Sequence, residues 1–86
     1  MNSANLSRKE RERLMRRQAM LEAARAVFAE KGYANATLEE IAQRAEFGKG
    51  TLYNYFPGGK DELFFAVFEE VFAQFQELID AAFTPA

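Results

Sequence analysis

The stretch GKGTLYNYF, residues 48–56, sets two glycines beside a lysine and crowds three aromatic rings into four positions. Glycine serves where a backbone must bend or be approached closely. On a helical wheel Leu52 and Phe56 lie four apart and point inward together, whereas Gly50, Thr51 and Asn54 point outward, with Tyr53 and Tyr55 on opposite flanks. A strip of small and amide residues between two phenols suits a DNA groove. Its centre can lie against base edges while the tyrosine hydroxyls and Lys49 reach the phosphates on either side. Gly50 leaves room for a close approach, and free N–H groups at a helix start attract an anion.

Other chemistries find little support. The chain has no cysteine and no histidine, which removes zinc fingers, disulfide scaffolds, thiol nucleophiles and histidine-based triads. Glu39/Glu40 and Glu69/Glu70 resemble acid–base pairs, but adjacent helical positions diverge by about 100°, so each pair reads as a solvated face. No enzyme activity, cofactor or metal site is expected. With 86 residues the chain makes one domain with a modest core, and an apolar content of 49% argues against disorder. No signal peptide is expected, and the lack of cysteine fits a reducing, cytoplasmic setting. The most apolar stretch, residues 63–83, carries Glu69, Glu70, Glu77 and Asp80, so no membrane span or membrane partner is expected.

The net charge of −2 hides an asymmetry: residues 1–25 balance at +4, residues 26–60 at zero and residues 61–86 at −6. A basic start suggests an anionic partner there, with Arg8, Lys9, Arg11 and Arg13 supplying non-specific affinity; the plainer reading is a solvated helix face.

The elements that must position these residues are all helical. Leu14, Leu21 and Phe28 recur every seven residues in a helix predicted over residues 9–31 and closed by Gly32. Its first turns, with Arg13 and Arg17, are expected to project past the core. Thr37 and Glu40 form a capping box opening a second helix, whose Leu38, Ile41, Ala42 and Ala45 make one narrow apolar face. After a break at residues 46–48 a short third helix runs over 49–56, ended by Pro57 and two glycines. The fourth, over 60–83, places Phe64, Val67, Phe68, Val71, Phe72, Phe75, Leu78, Ile79 and Phe83 on one arc. Phe64, Val67, Phe68 and Val71 are expected to pack on the preceding helices. Phe75, Ile79 and Phe83 lie beyond them, which predicts self-association or fraying past Phe72. No alternating pattern predicts a strand.

A short helix, a tight break and a second short helix make a helix-turn-helix over about residues 37–56. The same pattern also fits a small helical bundle with a tyrosine-rich surface.

Residues 20–64, MLEAARAVFAEKGYANATLEEIAQRAEFGKGTLYNYFPGGKDELF, resemble the N-terminal DNA-binding domain of the TetR family of bacterial transcriptional regulators. The marks are FAEKGY ending the first helix, TLEEIA opening the second and KGTLYNYF as the recognition helix. The resemblance implies a two-fold homodimer setting two recognition helices into a palindromic operator on double-stranded DNA. It usually implies a repressor released by a small-molecule effector. It matches Thr37 to a phosphate contact, Lys49, Gly50 and Thr51 to base-facing positions, Tyr53 to a phosphate-binding tyrosine, and Lys60 to a lysine on the DNA backbone. Asn54 and Tyr55 match variable or histidine-favouring positions. Glu46 departs from the usual turn glycine, Gly48 from the usual serine cap, and the FPGGKDEL loop is one residue longer.

The expected division is a flexible basic arm over 1–8, the DNA-binding domain over 9–60, and a fourth helix over 60–83. That helix would start the connection to a ligand-binding and dimerisation domain absent from this chain. The rival reading is a protein–protein interaction module docking the Phe-rich fourth helix in a partner's groove.

Overall fold

In a computed structural model, which describes residues 6–83, the chain folds as four helices: α1 (Arg8–Asn35), α2 (Leu38–Ala45), α3 (Lys49–Tyr55) and α4 (Lys60–Phe83). The described residues contain no strand, so the all-helical reading holds. The start of α1 lies further upstream than expected. Ser7 Oγ accepts from the Glu10 amide at 3.1 Å while the Ser7 amide donates to Glu10 Oε1 at 2.9 Å, a complete capping box. Two residues assigned to the arm, Ser7 and Arg8, therefore belong to the helix start; residues 1–5 of that arm lie outside the described residues. At the other end Gly32 takes φ 78° and ψ 165°, which interrupts α1 where the glycine was expected to close it.

α1 packs against both α2 and α4, and α2 packs against α3. Met20, Leu21, Ala24, Val27 and Phe28 form the buried stripe of α1 and meet Ile41 and Ala42 of α2, Leu52 of α3, Phe56, and Leu63 and Val67 of α4. Each such large side chain, once fully buried, stabilises the fold by roughly 1.5–3 kcal/mol. Leu14 and Met15 are exposed, so the first turns of α1 do project past this core.

The α4 contact face differs from the expected one. Leu63 and Val67 are buried and Ala66 packs against them, whereas Phe64, Phe68 and Val71 are exposed. At about 100° per residue Leu63 sits just outside the aromatic arc and Val67 at its edge. α1 and the shared core therefore meet α4 along that edge. Phe64 touches only the rim, with its ring centroid 5.2 Å from Phe28 and 5.0 Å from Tyr33. Beyond it α4 remains helical to Phe83, with Phe75 and Phe83 exposed and Ile79 half-buried.

Candidate nucleic-acid interface

The α2–α3 corner begins with Thr37. Its Oγ1 accepts from the Glu40 amide at 3.2 Å, satisfying one free N–H of the first turn. The reciprocal half of the expected capping box is not made. Glu40 instead pairs with Lys31 at 2.8 Å and approaches Arg44 at 4.0 Å, because two cations offer its carboxylate more than one backbone amide does. Arg44 also makes a bidentate pair with Glu30, both bonds 2.8 Å, which ties α2 to α1 and holds the Glu30 carboxyl below its ordinary range.

α2 ends at Glu46, whose φ of 65° and ψ of 38° are left-handed. The Phe47 amide donates to the Ala42 carbonyl at 3.0 Å and the Glu46 amide to Gln43 at 3.1 Å, closing the helix as a Schellman motif does. That geometry favours glycine, so the acid here is a backbone compromise. It turns the chain into α3, which opens at Gly48 with no side-chain cap.

α3 is anchored from behind. Leu52 and Phe56 are 1% exposed, and Tyr55 is half-buried against the core. Its opposite side presents Lys49, Gly50, Tyr53 and Asn54 to solvent, with Thr51 half-exposed among them. A Cβ placed on Gly50 would meet nothing within 4 Å, so no part of the fold requires glycine there.

Tyr53 stands beside the turn before α4: a Cβ on Gly59 would lie 3.5 Å from its ring and 3.6 Å from Leu38. This brings Tyr53 near Leu38, in the first turn of α2. Lys49 reaches the same flank, where Nζ pairs with Glu39 Oε2 at 3.1 Å. Glu39 is held below its ordinary carboxyl value, chiefly by its own backbone amide and then by Lys49. Glu39 and Glu40 thus serve different cations.

Lys60, matched to a contact with the DNA backbone, here has its ammonium on carbonyls of this chain. Its ammonium donates to the carbonyls of Tyr33 at 2.9 Å and Ala36 at 3.1 Å, and lies 4.4 Å from the Tyr33 ring centroid. Both carbonyls lie past Gly32, one in the last turn of α1 and one at its C-cap. Sequence reasoning also missed the pairing of Lys49 with Glu39, ten positions away across a turn, and the stacking of Arg13 on Tyr55. Neither pairing leaves a local periodic signal.

Among the described residues no group of acidic side chains could hold a metal, and no helix is long and apolar enough to cross a membrane. Similarity to known proteins runs through this same region. The chain is 35% identical over 71 residues to the HTH-type transcriptional regulator YhgD of Bacillus subtilis, covering 83% of this chain and 37% of that protein. It is 37% identical over 65 residues to the HTH-type transcriptional repressor AcnR of Corynebacterium diphtheriae, covering 76% and 34% respectively. The crystal structure of a TetR-like transcriptional regulator from Rhodococcus sp. RHA1 superposes with a TM-score of 0.77 at 39% identity, over 83% of this chain and 38% of that one. The chain thus spans about a third of the length of the relatives it matches. Residues 20–67, from the core stripe of α1 to Val67 of α4, match the bacterial regulatory proteins of the tetR family, and the chain belongs to that family.

Proposed function

We propose that this chain is the sequence-specific, double-stranded-DNA-binding part of a TetR-type transcriptional repressor, with α3 as its recognition helix in the major groove. The observation that carries the reading is the strip of Gly50, Thr51 and Asn54, presented outward by a helix whose Leu52 and Phe56 are locked in the core. Thr51 and Asn54 supply hydrogen-bonding groups for base edges, and Gly50 lets the backbone come close. Tyr53 and Lys49 on α3, and Thr37 at the start of α2, are assigned to phosphates. Lys60 is assigned to holding the α1–α2 corner through the Tyr33 and Ala36 carbonyls. The protein acts by occupying DNA rather than by transforming a substrate, in the cytoplasm where that DNA lies. In the whole regulator we assign a homodimer on a palindromic operator, with a small-molecule effector bound outside residues 1–86. The named repressor among its relatives supports this direction of regulation.

The test is a binding titration against duplex DNA across a salt series. Phosphate neutralisation predicts that log K falls linearly as log salt rises. Affinity that is indifferent to salt would favour a hydrophobic protein-docking role for α4 instead.

A further inference from the structure

The second flank of α3 is built unlike the first. Tyr55 does not stand free: the Arg13 guanidinium carbon lies 4.2 Å from its ring centroid, and Arg17 lies 5.3 Å from the neighbouring Phe56 ring. These arginines stand on the turns of α1 that project past the core, where Leu14 and Met15 are exposed. A guanidinium stacked on a ring uses its face and keeps its in-plane N–H donors available. The stack on Tyr55 therefore orders the long Arg13 side chain beside α3 before any ligand arrives, which lowers the entropy lost on binding.

From this geometry we infer that Tyr55 is a positioning residue, and that Arg13 is the group that binds phosphate on this flank of the recognition helix. The inference rests on the DNA-binding reading and assigns its second flank. The Tyr55 hydroxyl need not touch DNA; the ring is the platform. This gives α1 a task in recognition besides packing, since it carries a phosphate contact opposite that of Tyr53.

The experiment measures fluorescence anisotropy on a duplex selected by the wild-type protein from random sequences, across a salt series. Arg13→Gln should reduce the slope of log K against log salt by about 0.9, the worth of one phosphate no longer neutralised, with the preferred sequence unchanged. Arg13→Lys should keep most of the slope, because charge at this place carries the effect. Tyr55→Phe keeps the ring under Arg13 and should keep most of the slope, whereas Tyr55→Leu should fall toward Arg13→Gln with its helical circular dichroism intact. The inference is overturned by an Arg13→Gln protein with the wild-type slope, or by Tyr55→Phe alone removing a full phosphate's worth. A wild-type protein that binds duplex without salt dependence would instead sink the DNA reading itself.

Discussion

Gly50→Ala should move stability and DNA affinity in opposite directions. Gly50 lies in the first turn of α3 without a left-handed φ, is exposed, and has open space where a Cβ would project. Alanine fits that backbone and removes conformational freedom from the unfolded chain, so the folded state gains roughly 0.4–1 kcal/mol. For a domain of this size 1 kcal/mol corresponds to about 4–8 °C, so the unfolding midpoint should rise by about 2–8 °C. On DNA the added methyl stands where α3 is to meet base edges. Displacing one good base contact there costs roughly 1–3 kcal/mol, or about 5- to 150-fold in affinity. Thermal unfolding by circular dichroism and anisotropy on a selected duplex read the two effects separately. Because the variant should be the more stable protein, weaker binding could not be blamed on unfolding. Unchanged affinity would refute the assignment of Gly50 to the contact surface, and a lowered midpoint would show that the fold needs this glycine after all.

Three further outcomes follow from the corner itself. Glu46→Gly should raise stability by about 0.5–1 kcal/mol in urea unfolding, since the left-handed backbone costs an L-residue roughly 1–2 kcal/mol and glycine's greater unfolded-state freedom offsets part of the gain; Glu46→Ala, which keeps the strain, should give no such gain. Glu39→Gln should release Lys49 and strengthen duplex binding at low salt, while the exposed pair it breaks changes the unfolding free energy by no more than about 1 kcal/mol. Thr37→Val should cost about 1 kcal/mol by removing the cap and should weaken DNA binding, with Thr37→Ser restoring the cap in the same urea titration.

Much of the corner is legible in the sequence because its signals are local. Thr37 before an apolar period marks the start of α2, and Leu52 with Phe56 announces which side of α3 turns inward. Even Ser7 and Glu10, assigned to a flexible arm and to the helix behind it, carry the spacing of a capping box. What stays hidden is the rotation of one element against another. The arc of α4 is read correctly as apolar, yet its period does not say that Leu63, at the margin, meets the core while Phe64 and Phe68 face outward. Side-chain partnerships across turns are hidden for the same reason. The spacings of Lys49 to Glu39, Lys60 to Tyr33 and Arg13 to Tyr55 fit no helical repeat, and each is settled only once helices pack. Those long-range pairings decide which candidate side chains are engaged within the fold and which are left exposed.

The most direct test of the central claim is to select bound sequences from random duplex DNA with the wild-type protein, with Thr51→Ala and with Tyr53→Phe. Thr51 is on the outward strip and Tyr53 on its flank. The account predicts that Thr51→Ala relaxes preference at one or two base positions, whereas Tyr53→Phe selects the same sequence with lower affinity. Contradiction would come from a wild-type protein that enriches no sequence, or from a Tyr53→Phe protein that binds with full affinity but prefers a different one.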